Sequence, residues 1–161
     1  MLPLFFAAGG LAACSHSTTS TDAPPAPKKS VSWNVDGAEV VTENYLAGTG
    51  STGQLSDRTV RVGGRVFRGG HLIADVELEV PPAVGTYTFG PGSAAWATYE
   101  TAGALYEAGT VPGGSTAPGS GTVVVTDVSD RHIAGTFVFT GIERTSGAAK
   151  TVANGRFFVP E

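Results

Sequence analysis

Residues 71–80 read HLIADVELEV, with Leu72, Ala74, Val76, Leu78 and Val80 on one parity and His71, Asp75, Glu77 and Glu79 on the other. A helical period would mix these two sets around its circumference, whereas the period of two in a strand separates them. A strand that is apolar on one face and charged on the other belongs to an antiparallel sheet with one side packed and one wet. Pro81 and Pro82 then end it, because proline cannot donate to a β-ladder. The three acids stand about 7 Å apart along their face, a separation also used by the paired carboxylates of glycosidases. A solvated stripe that discourages edge-to-edge pairing accounts for them without chemistry.

The same logic recurs along the chain. VSWNVDGAEVV places β-type runs on both sides of Asp36-Gly37, a hairpin signal. GTVVVTDV passes through SDR into HIAGTFVFTGIER, with Ile133, Gly135, Phe137 and Phe139 on one parity and His132, Thr136 and Thr140 on the other. Asp127 and Asp130 flank that turn, where short carboxylates bond nearby backbone amides. GTYTFG, AAWATYE and GALYEAG read as short strands, and KTVANGRFFV closes the chain with Asn154-Gly155 as a turn or a bulge. Residues 109–121, GTVPGGSTAPGSG, read as a flexible loop. With 23 Gly, 10 Pro and few Leu, the composition disfavours a helical bundle. The expected fold is all-β, an antiparallel sandwich or a flattened up-and-down barrel of about eight to ten strands. Trp33 is expected in the core, and only one of Phe157 and Phe158 can be fully buried.

The first 30 residues have a different texture. Residues 1–13 form an apolar stretch of signal-peptide size, too short to cross a bilayer as a permanent anchor. It ends in Leu11-Ala12-Ala13-Cys14, and Cys14 is the single cysteine of the chain, so no intrachain disulfide can form. Residues 14–30 are rich in Ser, Thr and Pro, with no aliphatic side chain larger than Ala after the cysteine, and read as a semi-rigid spacer. His16 lies within it. The single folded domain is expected over residues 31–161. No Lys or Arg precedes Cys14, which leaves room for a basic segment upstream of Met1.

Leu-Ala-Ala-Cys resembles the lipobox of bacterial lipoproteins. That resemblance implies diacylglyceryl transfer to the Cys14 sulfur, cleavage between Ala13 and Cys14, and acylation (palmitate) of the new amino group. Two or three acyl chains hold a protein to a membrane durably where one holds marginally. The order of W-x-x-x-G near Trp33, then GTYTF, SGTVVVTDVSDRHIAGTFVFTG and NGRFFV, resembles the uncharacterised Bacteroidota lipoprotein families typified by DUF6252. It implies an exported lipoprotein with a β-rich domain, and it carries over no functional residues.

Catalytic clusters are sparse. The chain has three histidines and no H-x-H, HExxH or C-x-x-C spacing, so neither a metal nor another cofactor is expected. The nearest match to a nucleophile elbow, Gly113-Gly114-Ser115-Thr116-Ala117, fails at its last position. GGRVFRGG lacks the lysine of a phosphate loop, and DVSD lacks the ligand ladder of a calcium loop. A net charge of −4 without a Lys/Arg cluster argues against nucleic acid. Trp96, Tyr99 and Tyr106 are the candidate ligand contacts: Trp96 and Tyr99 have opposite parity, so one ring faces away from the core.

These features point to a non-enzymatic module at the cell envelope, anchored to the membrane through lipid. It binds a protein partner, a glycan or a small ligand, or serves as a structural element by strand addition. A lipocalin-like carrier of a small apolar ligand is the alternative and requires an internal cavity. A hydrolase would require His71 or His132 to meet an acid within hydrogen-bond reach.

Overall fold

In the computed structural model of the protein, the residues described are 30–42, 45–49, 59–101, 103–111 and 116–159, so the leader, Ala13, Cys14 and most of the spacer lie outside them. The alternating segments all become strands, and each turn has a chemical cause. β1 (Ser30–Val35) and β2 (Ala38–Thr42) meet at Asp36-Gly37, whose φ angles of 52° and 80° are those of a type I′ turn. β3 (Tyr45–Thr49) leads to β4 (Val60–Arg68), which turns through Gly69 and Gly70, both left-handed, into β5 (His71–Val80). β6 (Gly85–Phe89), β7 (Trp96–Thr101) and β8 (Ala104–Thr110) are the three short runs expected between the main blocks. β9 (Thr116–Pro118), β10 (Ser120–Ser129), β11 (His132–Glu143) and β12 (Ala149–Val159) complete the chain. The expected loop over residues 109–121 therefore contains a short strand and the start of a long one.

All the ladders between named strands are antiparallel. The order β2-β1-β12-β11-β8-β7-β5-β4-β3 runs through one twelve-stranded sheet, with β10 and β6 branching from β11 and β9 from β8. β2 pairs with β1 and β3 pairs with β4, and only two residues separate Thr42 from Tyr45. The sheet thus comes round almost into a barrel, with β2 and β3 on the two sides of its last gap. Thr42 reinforces the gap by donating its hydroxyl to the Arg65 carbonyl at 2.7 Å.

Inside lie Val31 and Trp33, Val60 and Val62, Val76, Leu78 and Val80, Val123 and Val125, and Ile133, all at most 1 % exposed, and among them the parities of β5 and β11 and Trp33 are as expected. Phe137, Phe139 and Phe157 fill the volume between the two sides, and Phe89 meets Phe139 edge-on at 6.0 Å. The rings nest on glycine. A Cβ on Gly135 would stand 2.5 Å from Phe157, and one on Gly155 2.5 Å from Phe137. Of the two neighbouring phenylalanines at the C-terminus, Phe157 is the buried one and Phe158 is half-buried.

The acidic face of β5 departs from expectation. Asp75 and Glu79 are buried and Glu77 is half-buried, rather than solvated. Across the β4–β5 ladder Arg61 lies opposite Glu79, and Arg65 opposite Asp75. Arg61 bonds Glu79 at 2.9 Å and approaches Glu77 at 3.5 Å, while Arg65 bonds Asp75 at 2.6 Å. The alternation of β5 identified its outer face, but the cations that cover that face come from another strand.

Candidate functional site

Two β-bulges shape the outer face of β10, β11, β12 and β1. In β12 the register against β1 jumps between Ser32 and Asn34, and against β11 between Phe137 and Phe139. The extra residues surround Asn154, which sits at φ 51°, a region that asparagine tolerates better than most side chains. The Asn154-Gly155 pair is therefore a bulge within one strand. In β10 a second shift between Val125 and Asp127 leaves Thr126 without an opposite residue.

Depressions follow the bulges. One of about 490 Å³ is bounded by Ser32, Thr126, Thr136, Arg156 and Phe158. A second, about 300 Å³, shares Thr136 and Arg156 with it and adds Thr122, Val138 and Asn154. A third, about 480 Å³, continues past Asn154 to Asn34, Asp36, Lys150 and Thr151. The three form one open run of hydroxyl and amide groups with small apolar patches between them. Arg156 is exposed at its centre, and no acid among the described residues pairs with it. At one end Lys150 donates to Asp36 at 2.8 Å, and this bond raises the lysine pKa. Such a surface offers donors, acceptors and one unpaired cation to an extended polar ligand.

The sequence-predicted aromatic trio lies elsewhere, on β7 and β8. Trp96 and Tyr99 do point to opposite faces, as parity requires, and both are buried. Tyr99 packs inward and stacks on Tyr106 at 6.1 Å. Burial raises the Tyr99 hydroxyl pKa, an effect Lys150 opposes. Trp96 lies on the outer face beneath the Arg61 guanidinium, 5.4 Å from the ring centre, a cation–π contact. Its indole nitrogen is buried without a hydrogen-bond partner. On the same side the buried Glu107 is held by Arg144, whose Nη2 donates to Oε1 at 2.9 Å.

His71 is exposed at the β4–β5 turn. His132 does meet an acid. Its Nε2 stands 2.7 Å from Asp127 Oδ2 and its Nδ1 2.9 Å from Ser129 Oγ, while the ring lies against Phe158 at 4.7 Å. Because a carboxylate only accepts, Nε2 carries a hydrogen towards Asp127, while Nδ1 faces the Ser129 hydroxyl. This is the reverse of the ring-nitrogen order in serine hydrolases. Ser129 also accepts from the Arg131 amide at 3.3 Å, so the chain of bonds closes the β10–β11 turn. Among the described residues no group of three His, Cys, Asp or Glu side chains is placed to hold a metal ion.

The groove residues were missed in the sequence because they are neighbours only across strands: Thr122, Thr136 and Arg156 come from β10, β11 and β12. The available signal was Asn154-Gly155 inside an otherwise continuous strand. Among protein families, the one described as a domain of unknown function, DUF6252, matches residues 57–160. The match spans β4 to β12 and leaves β1 to β3 outside it. No curated protein and no solved structure matches the chain.

Proposed function

The chain belongs to the DUF6252 family, whose description assigns no activity, and from that premise we propose that it is a lipid-anchored binding module of the bacterial cell envelope. Cys14 is its anchor, and the bulged outer face of β10, β11, β12 and β1 is its recognition surface. The observation that carries the binding reading is the continuity of the three depressions around Thr136, Arg156 and Asn154. An open, hydroxyl-lined trough with one unpaired cation suits a glycan chain, whose hydroxyls need many weak partners and whose acidic groups need a positive one. Soluble peptidoglycan fragments are the probe. Binding measured by calorimetry is expected for the wild type and to fall at least about tenfold, the loss of one charge-assisted hydrogen bond, in Arg156→Ala. Equal affinity in the two would remove this face from consideration.

Anchorage is tested separately. Radiolabelled palmitate is expected to enter the wild type and not Cys14→Ser, and membrane partitioning of an unlabelled protein would defeat the anchor. A structural role by strand addition draws support from one observation: among the described strands β6 forms its only ladder with β10, and its other edge carries a single bridge from Phe89 to Ala95, which leaves residues 85–87 for a partner strand. The small-ligand carrier has weaker support, since Phe137, Phe139 and Phe157 occupy interior space above the glycines.

A further inference from the structure

Arg156 and Thr136 stand directly opposite each other on β12 and β11. Both side chains point outward, since their neighbours Phe157 and Phe137 fill the interior. The two strands run in opposite directions, so the next outward residue of β12, Phe158, and that of β11, Val138, lie on opposite sides of this pair. Each is one outward step away, about 7 Å. Phe158 is half-buried, backed by the His132 ring at 4.7 Å, and Val138 is 45 % exposed. The first depression joins Phe158 to Arg156 and Thr136, and the second joins the same pair to Val138. Along the trough the order is therefore apolar surface, cation with hydroxyl, apolar surface.

The charge at the centre of this order is uncompensated. β1 and β12 carry no acid, and β10 and β11 carry only Asp127 and Glu143. Asp127 is bonded to His132 at 2.7 Å, and Glu143 accepts from the amides of Thr145 and Ser146. Arg156 has no acid partner among the described residues. A guanidinium presents a planar fork of donors that fits a carboxylate. The complementary ligand is a carboxylate with an apolar face on each side of it. An extended peptide meets the charge and the spacing but gains nothing from its backbone, because the N–H and C=O groups of β10, β11 and β12 are already paired in their own ladders. A sugar chain lays its C–H faces on Phe158 and Val138 while its hydroxyls meet those of Thr136, Thr126 and Ser32.

We propose that the trough selects a carboxylated sugar within a glycan chain, its carboxylate on Arg156 and its two neighbours on Phe158 and Val138. The assignment rests on the glycan reading proposed above. The apolar contacts hold acidic and neutral chains alike, whereas Arg156 supplies the preference for the acidic one. The lactyl group of a peptide-free muramic acid and the C6 carboxylate of a uronic acid share this chemistry.

Three tetrasaccharides titrated calorimetrically into the full chain test it. One alternates N-acetylglucosamine with peptide-free N-acetylmuramic acid, one is tetragalacturonate, and chitotetraose carries no carboxylate. At least one acidic chain is expected to bind about tenfold or more tighter than chitotetraose, the worth of one charge-assisted hydrogen bond, and the tighter of the two names the source of the sugar. Arg156→Gln, at an exposed position, is expected to abolish that preference and leave chitotetraose unchanged. Phe158→Leu is expected to weaken all three alike and keep the preference. Equal wild-type affinity for acidic and neutral chains, weakened by Phe158→Leu, would overturn the carboxylate assignment and leave the trough standing as a glycan site. A preference that survives Arg156→Gln would overturn it as well. Tighter binding of an acetylated Leu-Ser-Glu-Ser-Leu amide than of any sugar would overturn it in favour of a peptide. Binding of none of these probes overturns the assignment and the glycan reading together.

Discussion

At the scale of single residues, glycine decides how closely the rings inside the barrel can pack. Gly135 lies beneath Phe157 and beside the Val124 carbonyl, so an added methyl has nowhere to go, whereas a Cβ on Gly90 would meet nothing within 4 Å. Gly135→Ala is expected to cost about 1–3 kcal/mol through overpacking, and Gly90→Ala to leave the unfolding midpoint within experimental error. Equal midpoints for the two would mean that the rings do not rest on the glycine. Acid groups divide as sharply. Glu143 accepts hydrogen bonds from the Ser146 hydroxyl and from the amides of Thr145 and Ser146, which pull its pKa from 4.5 to about 2. Its contribution is present above pH 4.5 and is lost as pH falls through about 2. Asp75 and Glu77 go the other way. Burial outweighs Arg65 and Arg61 and raises both pKa values above 3.8 and 4.5. Each therefore favours the fold below its ordinary pKa, and that stability is lost as pH rises through the elevated value. Denaturant titrations between about pH 2 and 7 should show Glu143→Gln flattening the acid limb and Glu77→Gln flattening the decline above it. The opposite assignment of the two limbs would refute the burial of β5's outer face.

Between elements, the decisive contact is the one that covers β5. Glu79 keeps only 4 % of its side chain exposed and depends on Arg61, which also caps Trp96. Arg61→Ala leaves that carboxylate buried and unpaired, and is expected to cost about 3–5 kcal/mol, whereas Arg61→Met with Glu79→Leu should recover most of it. Chemical denaturation of the three proteins decides the matter: a double variant no better than the single would place the loss in the cation–π contact with Trp96 rather than in the unpaired carboxylate. The same contact marks where the sequence ceased to be legible. Alternation over residues 71–80 and 133–139 named the buried parity of β5 and β11 correctly, because burial on one face depends on the strand's own period. The state of the other face depends on what a distant segment brings, and neither Arg61 nor Arg65 announces its partner. Asp36-Gly37 could be read as a turn because its chemistry is local. Asn154-Gly155 has the same chemistry but lies between β1 and β11, which hold β12 straight through it, and so becomes a bulge. The candidate trough was out of reach for that reason: it is made by bulges, and bulges are defined by neighbouring strands.

For the molecule as a whole, closure of the sheet brings the first strand beside the last. Ser30 pairs with Phe158 and Val35 with Val152, so β1 sits between β2 and β12 although more than a hundred residues separate the partners. Such non-local pairing requires the chain ends to meet before most of the core can form, which predicts folding in milliseconds to seconds rather than microseconds. It also makes the ends interchangeable. A short Gly/Ser linker from residue 159 to Ser30, with new termini opened between Gly90 and Pro91, would preserve every ladder, since that connection joins β6 to β7 outside the barrel wall. The permutant should keep the β-type circular dichroism spectrum and a single cooperative melt, and should fold faster because the pairing of β1 with β12 is now local. A permutant that folds at the wild-type rate would mean that the joining of first and last strands is not what limits folding. One that fails to fold would mean that the barrel depends on the β6–β7 connection more than on its own closure.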